Sequence, residues 1–203
     1  IALVSDAGTP AISDPGYRLV VEALRAGIRV TPIPGASALA SALSASGLPT
    51  DRFVFEGFLP SKKGERESRL EALRGERRTV VFYEAPHRLT DALTAMQRIL
   101  GDREIVVGRE LSKVHEEFLR GTIDEVIAQL VQKEVRGEIT IIVRGAPDAE
   151  QISQEELAGE IRRLIVEGSG VKQIAEQLGE RYRMAKREVY QLALRLKNAR
   201  EPS

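Results

Sequence analysis

Cysteine and tryptophan are absent from this 203-residue sequence, and it contains only two histidines. Without thiols the chain has no disulfide, no thiolate metal site and no cysteine nucleophile. His87 and His115 are too few to complete a zinc site, so we expect no metal centre. The lack of cysteine is compatible with a reducing compartment, and we expect a cytoplasmic protein.

Long apolar runs and an excess of charge of one sign are also missing. No apolar stretch approaches the ~18–20 residues that a membrane span needs. Thirty Lys and Arg residues balance thirty Asp and Glu residues, so any nucleic-acid surface has to be local. Hydrophobic residues make up 42% of the chain. This composition supports a real core, arranged as one large domain or as one domain with a small appendage.

The segment SDAGTPAISDPG, at positions 5–16, follows an apolar run at 1–4 and precedes a helix predicted from Tyr17 to Ala26. The apolar run is typical of a buried strand, so the segment is predicted to be a loop between a strand and a helix. Loops at the carboxyl ends of strands are where open α/β sheets bind ligands. Gly8 and Gly16 allow the backbone to approach a bound molecule closely. An ordinary turn has the same composition, and that alternative stays open.

Strand and helix patterns alternate up to residue 147. Further strands are predicted near 28–35, 53–55, 79–83, 103–111, 114–122 and 137–147, and further helices near 36–46, 65–73, 87–100 and 123–131. The initial strand-helix alternation predicts a mainly parallel sheet. Two late strands follow each other without a helix, which indicates a hairpin and a mixed second half of the sheet. Thr122 and Glu125 predict a capping box on the last of these helices.

The C-terminal part differs in composition. PDAEQISQ, at 147–154, predicts a linker, and three short helices are predicted at 155–166, 171–178 and 184–197. The last two match helix-turn-helix spacing loosely. From Lys172 onward the sequence has eight basic and four acidic residues, and this surplus of positive charge favours contact with RNA. A solvated helical bundle that caps the main domain is the alternative.

Six ordered segments resemble the tetrapyrrole methylase superfamily. They are SDAGTPAISDPGYRLV, IPGASALASALSASGLP, FEGFLPSKKGER, FYEAPHRL, RELSKVHEEFLRGT and GEITIIVRG. More narrowly, they resemble the bacterial enzymes that methylate a cytidine ribose 2′-hydroxyl in small-subunit ribosomal RNA. The resemblance implies an α/β fold with a first methylase subdomain at 1–50, a second, with a mixed sheet, at 51–147 and a small helical domain at 153–200.

The resemblance also implies a homodimer that binds S-adenosylmethionine and acts on small-subunit ribosomal RNA or on the assembled small subunit. The implied cofactor-binding residues are Asp6, Ala7, Gly8, Thr9, Ser37, Ala38, Tyr83, Glu84, Gly137, Glu138 and Ile139. Small residues would bring backbone groups to the amino-acid end of the cofactor, and strand ends would frame its nucleoside. For Ser37 and Ala38, a helix start chosen for packing is the alternative.

Methyl transfer to a ribose hydroxyl benefits from a base and from a nearby positive charge. The catalytic candidates are Glu110 and Glu117 as bases, with Lys113 as an electrostatic partner for a phosphate or for the hydroxyl. Each could instead be an ordinary exposed charge. RNA binding needs distributed cations that contact phosphates. The RNA-binding candidates are Lys62, Lys63, Arg66, Lys186, Arg187 and Arg195.

The resembled family begins with a further strand, a loop with Gly and Asn, and an acidic Asp-Thr-Arg segment, none of which this sequence contains. We therefore expect an N-terminally truncated chain with an incomplete first subdomain, weak cofactor binding and no methyl transfer on its own. Two other functions stay open. One is methylation of a corrin or porphyrin precursor, and the other is a nucleic-acid-binding regulator built on the C-terminal helices. The basic segments favour RNA over a small tetrapyrrole.

Overall fold

A computed structural model describes residues 1–6, 8–131, 135–147, 152–182 and 184–198. The chain divides into two compact units, residues 1–146 (unit 1) and residues 147–203 (unit 2). Among the described residues, no helix is both long and apolar enough to cross a lipid bilayer.

Unit 1 is built on a mixed five-stranded sheet. Its strands are β1 (Phe53–Phe58), β2 (Thr79–Glu84), β3 (Glu104–Arg109), β4 (Glu117–Thr122) and β5 (Ile139–Val143). Their order across the sheet is β1-β2-β5-β3-β4. β1 and β2 are parallel, β5 runs antiparallel to both β2 and β3, and β4 forms an antiparallel hairpin with β3. The predicted hairpin and the predicted mixed sheet are confirmed.

The helices described in unit 1 are α1 (Tyr17–Arg25), α2 (Ala38–Ser46), α3 (Lys63–Leu73), α4 (Leu89–Leu100) and α5 (Ile123–Leu130). A 3₁₀ turn, Pro86–Arg88, precedes α4. These helices begin and end within a few residues of the predicted bounds. The capping box of α5 is also confirmed, since the Thr122 hydroxyl accepts from Glu125 N at 3.3 Å and Glu125 Oε2 accepts from Thr122 N at 2.8 Å.

Helices cover both faces of the sheet. One face packs against α3, α4 and α5, in a cluster that includes the fully buried Phe82, Leu93 and Ile141. The other face packs against α2, which contributes Ala42 and Leu43. Strands buried on both faces need apolar residues at successive positions, which explains the near-continuous apolar runs of β2 and β5.

Two predicted strands do not form. The structure describes residues 1–4 and 28–35 without strand pairing, although their apolar composition is that of buried strands. A strand exists through hydrogen bonds to a neighbouring strand, and neither segment has such a neighbour among the described residues. The predictions of these two strands and of a parallel sheet within residues 1–50 were therefore wrong. An apolar composition indicates that a segment suits a buried strand, but it does not show whether another strand is present to hydrogen-bond with it.

Unit 2 is helical. The helices that the structure describes there are α6 (Gln154–Val166), α7 (Val171–Arg181) and α8 (Lys186–Asn198). They enclose a core of their own that includes Ile161, Ile174, Leu178 and Val189, all fully buried. The three predicted C-terminal helices are confirmed.

The surface of residues 1–33 carries many large apolar side chains. α1 buries none of its residues. The exposed apolar residues of this segment, which we call the N-terminal apolar surface, are Ile1, Leu3, Val4, Ile12, Tyr17, Leu19, Leu24, Ile28, Val30 and Ile33. Exposed apolar patches of this kind promote association between molecules.

We expect the 203-residue chain to associate through the N-terminal apolar surface. Leu19 and Leu24 are 55% and 59% exposed, so Leu19→Gln with Leu24→Gln should lower the mass measured by light scattering without unfolding α1. Val114→Gln is the control, because Val114 is exposed in a loop outside this surface. A monomeric parent chain, or an unchanged mass in the double variant, would contradict this expectation.

Candidate functional site

A cleft of about 550 Å³ lies at the edge of the sheet where β1 and β2 end and β5 begins. Phe58 closes β1, Tyr83 and Glu84 close β2, and Ile139 opens β5, and all four residues line the cleft. The carboxyl ends of parallel strands are the usual ligand-binding edge of α/β sheets. The volume lies within the range of small-molecule sites.

Six segments that are separate in the sequence meet in this cleft. The predicted cofactor-binding residues in its walls are Asp6, Gly8, Thr9, Ser37, Ala38, Tyr83, Glu84, Gly137, Glu138 and Ile139. Ala7 lies outside the described residues. The sequence analysis did not select Ser13, Asp14 or Phe58, which also line the cleft. Ser13 and Asp14 could have been predicted from the sequence, because they lie in the same loop as Asp6.

The loop at residues 5–16 forms one wall of the cleft. Gly8 has a φ of +72°, which L side chains rarely adopt, and a Cβ added there would meet no heavy atom within 4 Å. The backbone at Gly8 therefore faces open space. Asp6 and Asp14 also line this wall, and neither carboxylate has a recorded partner within the described part of the chain. This wall is acidic.

The start of α2 adds a second wall. Ser37 is the N-cap of α2, and its hydroxyl accepts from Ala40 N at 3.4 Å. Ser37 and Ala38 both line the cleft. The N-terminus of a helix carries free N–H groups and a partial positive charge, which favour a negatively charged group nearby.

Tyr83 provides an aromatic wall. Its ring centroid lies 4.9 Å from that of Phe55 and 5.8 Å from that of Phe58, both edge to face. Burial raises the pKa of the Tyr83 phenol, a hydrogen bond with the Leu39 backbone lowers it, and the charge of Glu138 raises it. The phenol therefore stays neutral at pH 7 and presents an apolar ring with one hydroxyl.

The carboxylate of Glu84 lies away from the cleft. Side chains alternate along a strand, so Glu84 shares the face of Phe82, under α3 and α4, and its side chain is 0% exposed. Its Oε1 accepts from Ala85 N at 2.8 Å and lies 3.3 Å from Arg88 Nε. Glu84 therefore contributes its backbone to the cleft, while its carboxylate anchors the turn before α4.

Glu110 connects the end of β3 to the segment before β5. Its N–H donates to Glu138 O at 3.0 Å, and its Oε1 accepts from Glu138 N at 2.8 Å and from Lys113 Nζ at 3.0 Å. Lys113 Nζ also lies 3.3 Å from Glu138 Oε2. Gly137 makes this contact possible, since it has a φ of +87° and a Cβ there would overlap the Glu110 carboxylate.

These contacts shift two pKa values. The N–H of Glu138, followed by Lys113, lowers the pKa of Glu110, and the bond to Glu110 raises the pKa of Lys113. A carboxylate with a lowered pKa is a weaker base. The geometry therefore suits Glu110 to positioning the wall of the cleft. Lys113 lines the cleft, and its raised pKa keeps it protonated there.

Glu117 is separated from the cleft. It lines another cavity, of about 250 Å³, together with apolar residues that include Val107 and Leu119. Its Oε2 lies 3.0 Å from Arg109 Nη2. The alternation of β4 directs Glu117 to the sheet face that α4 and α5 cover, so the structure does not bring it together with Lys113.

The predicted RNA-binding residues of unit 1 lie at the start of α3. Lys62 and Lys63 are exposed, and Lys62 Nζ lies 3.1 Å from Glu65 Oε1. Arg66 is half-buried, and its Nη1 donates to Ser61 O at 3.5 Å. The two lysines are therefore available to a ligand in solution, whereas Arg66 is partly engaged within the protein.

The predicted RNA-binding residues of unit 2 lie on α8. Lys186 Nζ is 3.4 Å from Glu176 Oε1. Arg187 and Arg195 are exposed, and no ion pair is recorded for either within the described residues. Across the described ranges, no group of three or more His, Cys, Asp or Glu side chains is arranged to hold a metal ion.

A sheet with helices on both faces and a cleft at its carboxyl edge defines an α/β protein, and the cleft has the size of a small-molecule site. Its sequence places it more narrowly. The chain belongs to the tetrapyrrole (corrin/porphyrin) methylase family, whose sequence profile matches residues 1–127. The family resemblance predicted from the motifs is confirmed, and it supports methyltransferase activity.

Curated relatives carry the name ribosomal RNA small subunit methyltransferase I. The relative from Synechocystis sp. is 49% identical over 199 residues, which cover 97% of this chain and 71% of the relative. The relative from Bacillus subtilis is 45% identical over 197 residues, which cover 94% and 67%. A solved cobalt precorrin-4 methyltransferase has a TM-score of 0.51 at 18% identity, covering 68% of this chain and 61% of its own. At that identity the likeness shows the fold alone.

We expect Glu110→Gln to lower the thermal unfolding midpoint at neutral pH. Because the pKa of Glu110 is lowered in the folded protein, its stabilising contribution is complete above the ordinary carboxyl pKa and is lost as the pH falls through the lowered value. The difference between parent and variant should therefore shrink with acidification. Melting curves at pH 7 and at successively lower pH measure it.

Glu71→Gln is the matched control, because Glu71 is also paired with a basic residue but lies exposed on α3, 3.8 Å from Arg74. Exposed pairs contribute little, so its midpoint should stay close to that of the parent. Equal midpoints of parent and Glu110→Gln at pH 7, or a gap that persists in acid, would exclude this role of Glu110.

Proposed function

We propose that this protein is an S-adenosylmethionine-dependent methyltransferase that methylates a cytidine ribose 2′-hydroxyl in small-subunit ribosomal RNA. The main support is the cleft, where described residues of all six ordered segments converge. The family and the names of the relatives support the same class of reaction. Naked RNA or the assembled small subunit would be the substrate, and a homodimer would be the working form.

The residues of the cleft fit S-adenosylmethionine. This cofactor is cationic at its sulfonium and amino groups and anionic at its carboxylate. Asp6 and Asp14 would attract the cationic groups, and the start of α2, at Ser37, suits the carboxylate. The aromatic wall at Tyr83 offers the apolar slot that an adenine needs.

The cofactor supplies a methyl group bound to a positively charged sulfur, so the protein has mainly to align the reactants. Alignment of this kind contributes up to ~7–11 kcal/mol in favourable cases. In the proposed reaction the ribose hydroxyl oxygen would take the methyl group from the sulfonium, the sulfur would leave as a neutral thioether, and the hydroxyl proton would pass to water. Lys113 would stabilise the negative charge that develops on this oxygen or would hold a neighbouring phosphate. Glu110 would keep Lys113 and the backbone of Gly137 and Glu138 in place.

RNA is favoured over a corrin or porphyrin substrate by two observations. The relatives named for ribosomal RNA are far more similar to this chain than the solved precorrin methyltransferase, at 49% against 18% identity. Exposed basic residues at Lys62, Lys63 and Arg187 suit phosphate contacts. A regulator built on unit 2 alone would leave the cleft of unit 1 without a role.

The decisive variant for the cofactor is Gly8→Val. A branched side chain there would project into the cleft, so we expect calorimetry to show at least about a tenfold loss of S-adenosylmethionine affinity, or ~1.4 kcal/mol, and radiolabelled methyl transfer to RNA to fall with it. Gly27→Val is the matched control. Gly27 has the same φ of +72° and the same free space for a Cβ, but it lies outside the cleft. It should reproduce the backbone strain without the loss of affinity.

Equal affinities of the parent and Gly8→Val would remove the loop at residues 5–16 from the cofactor site. Methyl transfer to a corrin or porphyrin precursor and not to ribosomal RNA would replace the proposed substrate. No binding of S-adenosylmethionine by the parent protein would refute the proposed function altogether.

For RNA binding, we expect the combined change of Lys186, Arg187 and Arg195 to Ala to weaken affinity for ribosomal RNA and to flatten its dependence on salt. Removing three phosphate contacts should reduce the slope of log K against log salt by ~2. Fluorescence anisotropy at several salt concentrations measures it. The control replaces Arg25, Arg74 and Arg98 by Ala, which removes the same charge from exposed positions of unit 1. Equal slopes for the two triple variants would assign α8 a purely structural role.

A further inference from the structure

Arg88 connects two of the segments that line the cleft. It is the last residue of the 3₁₀ turn between β2 and α4. Its Nη2 donates to Leu59 O at 2.6 Å, and its Nε lies 3.3 Å from Glu84 Oε1. The Arg88 side chain is 22% exposed and that of Glu84 is 0% exposed. The guanidinium therefore occupies a largely buried position between the ends of β1 and β2.

On the β2 side, Arg88 stabilises the carboxylate of Glu84. That carboxylate accepts from Ala85 N through Oε1, while its Oε2 is buried without a recorded hydrogen bond. A buried charge needs its partner, because a carboxylate left unpaired away from water is strongly destabilising. The ion pair therefore fixes the backbone of Glu84 and Ala85, which lines the cleft.

On the β1 side, Arg88 donates a hydrogen bond to the backbone of Leu59, the residue after Phe58. Phe58 lines the cleft, and Leu59 is next to it and 3% exposed. Lys62 and Lys63 follow within four residues and are exposed. The bond from Arg88 to Leu59 O thus holds the start of the segment at residues 59–63, which leads from β1 into α3, and Arg66 holds it further along through Ser61 O.

Only an arginine makes both contacts. The guanidinium presents several donors in a planar fork, so one side chain can bond a carboxylate and a carbonyl at different atoms. A lysine ammonium carries its three N–H donors on one nitrogen, so it cannot place donors at both the Nε and the Nη2 positions. We expect it to keep the pairing with Glu84 and to lose the bond to Leu59 O. The two links are therefore separable by mutation.

We propose that Arg88 is a positioning residue that sets the segment at residues 59–63, which leads into the start of α3, relative to the cleft, so that an RNA bound by Lys62 and Lys63 presents its ribose to the site of methyl transfer. This inference rests on the proposed function and extends it to a residue that contacts neither cofactor nor RNA. A purely structural Arg88 would affect folding, cofactor binding and RNA use together. A positioning Arg88 affects RNA use selectively.

The test is Arg88→Lys in the protein. We expect KM for ribosomal RNA to rise about tenfold, the scale of a lost hydrogen bond to a charged group. The dissociation constant of S-adenosylmethionine, measured by calorimetry, should change less than about twofold. Arg98→Lys is the matched control, because Arg98 also connects α4 to a distant residue, Glu67, in an ion pair of 2.5 Å that is 57% exposed on the arginine side. Its KM should match that of the parent.

Hydrogen exchange gives a readout that needs no substrate. In Arg88→Lys the amides of Leu59 and of residues 61–63 should exchange faster than in the parent, while those of β3 should not change. Glu84→Gln combined with Arg88→Gln, which removes the buried carboxylate together with its partner, is the second variant if the lysine variant is poorly folded. Unchanged exchange at 59–63, or equal losses of cofactor affinity and RNA use, would overturn the proposal. Failure of the parent protein to methylate RNA would instead refute the proposed function, and the exchange result would still decide the role of Arg88.

Discussion

β5 is hydrogen-bonded along its length to β2 on one side and to β3 on the other, and it runs antiparallel to both. Its first residue therefore lies beside the last residues of its neighbours, with Ile139 opposite Glu84 on β2 and opposite Arg109 on β3. This register brings the segment before β5 to the edge where β1 and β2 also end. The cleft exists at this edge because a strand begins where its neighbours finish.

The two networks around the cleft have the same architecture. In each, a charged side chain next to a strand end bonds the backbone of a different segment. Glu110 holds Gly137 and Glu138, and Arg88 holds Leu59. Neither side chain needs to touch a ligand to act. The groups that would face the cofactor are mainly backbone atoms and small residues. Because small residues have little side chain to pack, their positions depend on hydrogen bonds such as those of Glu110 and Arg88.

Most elements of the fold were predictable from local pattern. The capping box at Thr122, the small residues of α2 and the continuous apolar run of β2 each reflect forces that act within a few residues. The two strands predicted at 1–4 and 28–35 failed for the opposite reason. Strand pairing is a long-range interaction, and an apolar run does not reveal whether a neighbour is present.

Motif order and hydrophobic period are written along the chain, and they were enough to predict the family, the mixed sheet, the helical C-terminal unit and the segments that line the cleft. Which atoms of those segments face the cleft depends on how the chain folds in three dimensions. The burial of the Glu84 carboxylate, the engagement of Glu110 by Glu138 and the separation of Glu117 from Lys113 all depend on strand register and side-chain alternation across residues distant in sequence. Such distant pairings have no local signature, so they become visible only once the sheet has formed.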